Sequence, residues 1–360
     1  MKKKVVIGMS GGVDSSVAAY LLLEQGYEVI GVTMLMGPEK NITAVTSDNT
    51  DIPMSGVQDA KKVAEVLHIP HYVLDFREEF KKNVMDYFTE EYLCGRTPNP
   101  CNVCNRYVKW EALLNRSREL GAEYIATGHY ARIDRLENGR YAIRNSVTTK
   151  KDQTYALYNL TQEQLSHTLM PIGVYEKTQI REIAERAKLP AATKKDSQDI
   201  CFIPNGDYAA FLEAYAKDRI PGEGTYIDRE GNIIGEHKGI THYTIGQRKG
   251  LNIAMGHPVF VTGIHADKNE VIIGEDEDLY TDELICKDFN YMARAKEEMT
   301  GTIETVGKIR YAHKGTPCTL SLLEDGTVHC KFSEKVRAIT PGQAAVFYEG
   351  DHVLGGGIIL

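Results

Sequence analysis

Apolar positions change their rhythm partway along the chain. In the first half, short β-branched runs alternate with stretches whose apolar residues recur about every three or four positions. KKVVIGM (3–9) predicts a strand and SSVAAYLLLEQG (15–26) an amphipathic helix stopped at Gly26; YEVIGVTML (27–35) predicts the next strand. A polar, loop-like stretch covers 37–56 and precedes a helix from Val57 to Leu67. HYVLDF, helices over Glu78–Leu93 and Val108–Leu120, and AEYIATGHY (122–130) continue the alternation, which predicts an α/β fold with a parallel sheet covered by helices on both faces. Beyond Pro204 one helix, DYAAFLEAYAK, gives way to short β runs punctuated by Gly, Asp-Gly and Pro: GTYIDREGNIIG, PVFVTGIHADKNEVIIG, and GTIETVGKIRYA onward. Turn signals at that density predict small β-rich barrels or sandwiches. The expected division is 1–205, 206–280 and 281–360.

Composition narrows this picture. With 360 residues, 42% hydrophobic and 26% charged, the chain has material for two or three domains with real cores. The start, MKKKVVIGM, lacks the apolar region and cleavage site of a signal peptide, and no apolar run approaches the roughly 18 residues that span a membrane. The chain therefore reads as cytoplasmic, without a membrane partner. A formal net charge of −8 argues against unspecific nucleic-acid binding but leaves room for a local basic groove. Seven cysteines, an odd number thinly spread, make a structural disulfide framework improbable. Two of them, Cys101 and Cys104, stand close together behind a rigid Pro-Asn-Pro, a spacing that points to metal, cluster or redox chemistry. A cation at Arg106 or Lys109 would favour their thiolate form. Cys94, Cys286, Cys318 and Cys330 read as small buried hydrophobes.

Candidate chemistry begins at GMSGGVDSS: Gly8, Met9, Ser10, Gly11, Gly12, Val13, Asp14, Ser15 and Ser16, between the first strand and the first helix. The paired glycines let successive N–H groups point into one concavity, the helix adds its positive end, and the serines offer hydroxyls to phosphate. Asp14 is out of place in an anion site unless Mg²⁺ bridges it to the phosphates. The string lacks a Walker Gly-Lys-Ser/Thr ending and a GxGxxG. It resembles the PP-loop of the ATP pyrophosphatase superfamily, with its adenine nucleotide alpha hydrolase-like fold. That resemblance implies ATP cleavage between the α- and β-phosphates, adenylation of a substrate oxygen and release of pyrophosphate. Amide-forming ligases and tRNA thiolases both share the loop.

The remaining motifs choose between them. SGGVDSS, GRTPNPxxxCN, ATGHYAR, KDQTYAL, ICFIP, YTIGQRKGL and KIRYAH occur in the order and spacing of the bacterial tRNA-specific 2-thiouridylase family, MnmA, over essentially the whole chain. The resemblance implies synthesis of 2-thiouridine at the wobble position of tRNA: the uridine C2 oxygen is adenylated, sulfur attacks C2, and AMP departs. By motif, Cys104 matches the catalytic cysteine and Cys201 its persulfide-bearing partner, with Asp14 serving the adenylation. Met34 and Gly128 match adenine-pocket positions. Asn99, Pro100 and Cys101 match the loop that meets the target base; His129, Lys151, Asp152, Gln153, Arg310, Tyr311 and Gln343 match tRNA-side positions. Implied cofactors are ATP and Mg²⁺, and implied partners are tRNA and a sulfur donor such as a cysteine desulfurase or sulfur-carrier protein.

One position departs. Relatives commonly carry Asp directly after Pro-Asn-Pro, where this chain has Cys101. Cys101, Cys104 and Cys201 thus also resemble the ligand set of thiolases that hold a 4Fe-4S iron-sulfur cluster on three cysteines. Two routes stand open: a persulfide relay that closes a Cys104–Cys201 disulfide, and cluster-borne sulfide. Both require the base to be flipped out of its stack. Arg144 with Lys150–Lys151, Lys194–Lys195, Arg248–Lys249, and Arg310 with Lys314 are the basic groups expected to grip RNA. The alternatives are a PP-loop adenylating amidoligase acting on a small molecule, which leaves the three cysteines without a reason, and a non-catalytic RNA-binding protein, which leaves the loop idle.

Overall fold

In the computed structural model, which describes residues 2–37, 54–194, 200–203 and 206–360, strand β1 (Lys4–Gly8) lies at the centre of a five-stranded sheet. Side chains of a strand alternate between faces, and here both faces are buried. Val5 and Ile7 enter one core with helix α1 (Val13–Glu24), while Val6 enters the other. Burial on both sides is why this run is continuously apolar. β2 (Glu28–Leu35) and β4 (Tyr124–Ala126) flank it in parallel, with Val6 opposite Ile30 and Ile125. β3 (His71–Asp75) and β7 (Thr168–Leu169) complete the order β3-β2-β1-β4-β7.

The predicted helices form, α2 (Met54–Leu67) among them, and most of the polar stretch 37–56 lies outside the described residues. Two differ from expectation. The helix predicted over Glu78–Leu93 runs as Arg77–Phe80, a π-wound Lys81–Asp86 and Tyr87–Leu93. The helix predicted to begin at Val108 begins at Pro100, as Pro100–Val103, a π-wound Cys104–Ala112 and Leu113–Glu119. Residues 97–106 are therefore largely helical rather than a loop. Proline suits the first helical position, where its missing N–H would be orphaned anyway. Asn99 caps the end, its side chain accepting from the Cys101 N–H at 3.1 Å.

The later strands form two further sheets. β8 (Gly224–Ile227), β9 (Ile233–His237), β10 (Phe260–His265) and β11 (Glu270–Gly274) pair in the order β10-β11-β8-β9. They enclose their own core around Tyr226, Tyr243, Val261 and Val271. β12 (Tyr280–Tyr291), β13 (Thr302–Lys308), β14 (Thr316–Leu322), β15 (Val328–Arg337), β16 (Ala344–Glu349) and β17 (His352–Ile359) follow one another as β12-β15-β14-β13-β16-β17. β17 pairs back to β12, closing a barrel that leaves those strands no free edge.

A hairpin that the sequence pattern did not announce, β5 (Ala131–Arg135) and β6 (Tyr141–Asn145), is added to this barrel through β17, with Arg144 opposite His352. Arg144 Nε donates to Asp351 at 2.6 Å, and His352 Nε2 lies 2.9 Å from Asp134. Arg144, expected to grip RNA, instead staples the hairpin to the barrel. The core is shared as well: Trp110 and Phe88 belong to one apolar cluster with Leu320 and Phe347 of the barrel. Cuts at 205 and 280 thus follow chain order, while the packing crosses them. Cys286, Cys318 and Cys330 are buried as expected, but Cys94 is exposed. It caps the C-terminal end of Tyr87–Leu93, where the chain turns out of the core.

Candidate active site

The phosphate loop leaves β1 at Gly8 and enters α1 at Val13. Gly11 adopts φ +72°, and a Cβ there would stand 2.7 Å from the Gly56 carbonyl, so the turn requires glycine. The Ser15 and Ser16 hydroxyls both donate to the Gly12 carbonyl, at 3.2 and 2.7 Å. Ser10 is the exposed serine of the three. Val13 and Met9 are buried and anchor the loop to the sheet. Met34 and Gly128, the two residues expected at the adenine, lie at neighbouring strand ends. Met34, at the end of β2, reaches within 3.5 Å of where a Gly8 Cβ would be. Gly128 follows β4 and passes so close to α1 that a Cβ would lie 2.6 Å from the Ser15 nitrogen. Three neighbouring strand ends thus frame the crevice outside their carboxyl termini, where open parallel sheets bind ligands.

Asp14 is paired with groups outside the phosphate loop. Lys177 Nζ donates to both carboxylate oxygens, at 2.7 and 2.9 Å, and the Tyr130 hydroxyl donates to Oδ1 at 2.7 Å. In this form the carboxylate does not fit an Mg²⁺ ion, because a lysine already neutralises it. Lys177 opens the helix Lys177–Arg186. It lies 163 residues from Asp14, within no phosphate-binding motif, so no sequence signal pairs the two. Lys194, expected on the RNA side, donates to Asp59 at 2.8 Å and to the Gly11 carbonyl at 3.3 Å, and so belongs to the phosphate loop. Its neighbour Lys195 lies outside the described residues.

The sulfur centre is built on the helix that starts at Pro100. Cys101 is exposed, whereas Cys104, the first residue of the π-wound segment, is only 5% exposed. Helical irregularities of this type are frequent at functional sites. Burial pushes the Cys104 thiol up to about 12; Lys109 opposes the rise, and the nearby Cys201 and Cys101 add to it. Cys201 has an exposed surface, yet the protein crowded around it also raises its thiol, again against Lys109. Phe202 anchors it, packing on Phe80 and Phe88 at 5.5 Å and on Phe211 at 5.1 Å between ring centroids. At Cys104 and Cys201 desolvation outweighs the pull of Lys109, and Arg106 donates instead to the Asn159 carbonyl. All seven cysteines are free. Among the described residues no three His, Cys, Asp or Glu side chains are gathered closely enough to hold a metal ion.

The segment after β4 joins the two centres. Gly128 and Tyr130 touch the phosphate loop; between them, His129 packs on Trp110 of the sulfur helix with ring centroids 5.3 Å apart. His129 Nδ1 lies 2.8 Å from Thr127 Oγ1, and burial, then Lys109, hold its imidazole neutral, well below the usual histidine range. Other residues expected on the RNA side converge from distant parts of the chain. Gln153 accepts from the Tyr130 N–H at 2.8 Å, and the Tyr311 hydroxyl donates to the Asp152 carbonyl at 2.9 Å. The Asp152 carboxylate accepts from the Ser146 and Thr154 N–H groups, at 2.7 and 3.1 Å, and so builds the turn around Lys151. Gln343 donates to the Thr97 carbonyl at 2.8 Å, just ahead of Asn99 and the buried Pro100. Arg310 turns one nitrogen onto the Arg337 carbonyl at 2.9 Å. Lys150, Arg248, Lys249 and Lys314 are exposed.

A parallel sheet with a Gly-Ser phosphate loop at its carboxyl edge, followed by two β-rich units, defines a PP-loop nucleotide-binding protein with barrel extensions. Family models match along the chain: "tRNA methyl transferase HUP domain" over residues 3–205, "tRNA methyl transferase PRC-barrel domain" over 209–275 and "Aminomethyltransferase beta-barrel domain" over 281–359. The tRNA-specific 2-thiouridylase MnmA of Lachnoclostridium phytofermentans is 56% identical over 358 residues, 99% of either chain. That of Clostridium kluyveri is 51% identical over 359 residues, 100% of this chain and 99% of the relative. The chain belongs to the tRNA-specific 2-thiouridylase MnmA family.

Proposed function

We propose that this chain is a tRNA 2-thiouridine synthase acting on the wobble uridine by a persulfide relay. Support comes from a single connection: the 128–130 segment touches the phosphate loop through Gly128 and Tyr130 and the sulfur helix through His129. Activation and sulfur delivery are thereby kept within one crevice.

ATP lies with its adenine between Met34 and Gly128 and its phosphates over residues 8–16. The loop N–H groups and the positive end of α1 hold the phosphates, with Lys177 offsetting the Asp14 carboxylate beside them. The uridine C2 oxygen attacks the α-phosphorus, the α–β bridge breaks, and pyrophosphate leaves. C2, otherwise a poor electrophile, now carries AMP as a leaving group. Exposure suits Cys201 to loading by a cysteine desulfurase or sulfur-carrier protein, giving Cys201 a terminal persulfide sulfur. That sulfur attacks C2, and the C2–O bond breaks with its electron pair passing to AMP. Cys104, once it gives up its proton, attacks Cys201 Sγ. The S–S bond to the transferred sulfur breaks, its electrons staying on the product, and a Cys104–Cys201 disulfide forms that an external dithiol reopens. Lys109, set against both thiols, favours the anions this exchange needs. Cys101 serves as a spare thiol at the mouth. The reaction belongs in the reducing cytoplasm, where free thiols persist.

The test combines three readouts on protein purified without oxygen: iron and acid-labile sulfide, pyrophosphate release with and without tRNA, and 2-thiouridine in the RNA. Iron-free protein that thiolates tRNA, with Cys104→Ala and Cys201→Ala both inactive, is expected. About four iron atoms per chain, lost in Cys101→Ala, would replace the relay with a cluster. Pyrophosphate release indifferent to tRNA would point to an amidoligase.

A further inference from the structure

Where the three parts of the chain meet lies a cavity of about 300 Å3, lined among others by Thr97 ahead of the sulfur helix, Thr244 and Gly246 of the YTIGQRKGL motif, and Arg310, Arg337 and Gln343 of the barrel. None of its lining residues is acidic. Each arginine is fixed by part of its guanidinium and leaves the rest available. Arg310 Nη1 donates to the carbonyls of Arg337 and Ala338, at 2.9 and 3.4 Å, and its other nitrogens have no partner among the described residues. Arg337 lies over the Phe260 ring, 5.1 Å from its centroid, with Nε and Nη2 on Asp276 Oδ1 at 3.0 and 2.9 Å. Its Nη1 has no partner among the described residues and faces Gly246, 3.6 Å from where a Cβ would stand. Gly246 has φ +86° and its N–H on the Val261 carbonyl at 2.8 Å, so the turn keeps that side of the cavity open.

The position of the cavity gives the ligand. Thr97 is held by the barrel at both ends of its peptide unit: its N–H donates to the Pro341 carbonyl at 2.9 Å and its carbonyl accepts from Gln343 at 2.8 Å. Three residues later begins the helix that carries Cys101 and Cys104. Thr97 therefore stands beside any strand that presents a flipped base to that helix from the barrel side, and phosphate contacts fix the register of such a strand. Guanidinium groups anchored on one edge and free on another match a phosphodiester, which takes N–H donors in a planar fork.

We propose that Arg337 Nη1 acts in this cavity, alongside the Arg310 already expected on the RNA side, as a donor to the phosphodiester of the nucleotide adjoining the target uridine. The proposal rests on the RNA-thiolating reading, and adds to it Arg337 and the YTIGQRKGL turn.

The probe is a fluorescent anticodon stem-loop RNA, titrated against full-length wild type, Arg337→Gln and Asp276→Asn over a series of salt concentrations. Arg337→Gln is expected to weaken binding roughly tenfold and to reduce the slope of log affinity against log salt by about 0.7 to 1. Asp276→Asn removes the competing carboxylate, so binding as tight as wild type or tighter is expected. If the Arg337–Asp276 pair merely staples two domains, the two variants weaken binding alike, which overturns the proposal. Three proteins with equal affinity overturn it as well. Wild type that fails to bind the RNA would instead sink the RNA-thiolating reading itself.

Discussion

Lys177 shows how far one residue's chemistry depends on a partner remote in sequence. An aspartate at the first turn of a phosphate-binding helix suits the helix dipole but repels the ligand. The ammonium of Lys177 on both its oxygens removes that conflict while the nucleotide is absent. Lys177→Met is therefore expected to lower tRNA-dependent pyrophosphate formation at least tenfold, about 1.4 kcal/mol of transition-state stabilisation. Lys177→Arg should recover part of it. Activity of Lys177→Met equal to wild type would reduce the pair to a surface ornament. Cys104 makes the same point from the other side. Its motif marks it as a nucleophile, while burial in the core raises its thiol against the pull of Lys109.

Among the elements, the contact between the end of β4 and the start of α1 is the most constrained. Gly128 is required there for close approach rather than for a special backbone angle, since a Cβ would meet the Ser15 nitrogen at 2.6 Å and the Asp14 carbonyl carbon at 2.8 Å. Backbone atoms cannot yield as a flexible side chain would. Gly128→Ala should push the strand end from the helix, costing about 1–3 kcal/mol of stability and weakening ATP binding, read by melting and by titration calorimetry. Gly139→Ala is the comparison: nothing lies within 4 Å of its Cβ position, and only its φ of +80° is strained. Its melting temperature should fall while its ATP affinity stays at wild type. Equal ATP affinity in both variants would mean that the β4–α1 contact does not shape the nucleotide site.

For the whole molecule, buried histidines contribute to the loss of stability just below neutrality. His71, His129, His237 and His313 are all lowered, in each case chiefly by burial. The native state then holds fewer protons on them than the unfolded chain. Their contribution to stability is full above the unfolded value of about 6.5 and is lost as pH falls below it. Melting temperatures should be level between pH 7 and 8 and drop between pH 6.5 and 5. His129→Asn should flatten part of that drop, because it removes an imidazole held well below the usual histidine range. A drop of unchanged depth in His129→Asn would show that other groups govern acid unfolding. The barrel closure and the hairpin carried on β17 make such unfolding a shared event, since one apolar cluster runs from Phe88 to Phe347.

Much of this protein was readable along the chain. The strand Lys4–Gly8, the glycine-rich turn and helix α1 follow from propensities that act within a few residues, and so do the short strands of the barrels. The helical start at Pro100 was readable in principle, from proline at the first position and Asn99 as cap, but the run Thr-Pro-Asn-Pro reads first as a loop. What the sequence by itself determined was therefore the order of elements and the phosphate loop between the first strand and the first helix. Tertiary structure alone decided that Asp14 meets Lys177, that Arg144 staples a hairpin onto the barrel, that Lys194 lies against Gly11 and Asp59, and that Cys104 lies in the core. Propensity and periodicity are local, whereas desolvation and charge pairing depend on which distant segments the fold packs together.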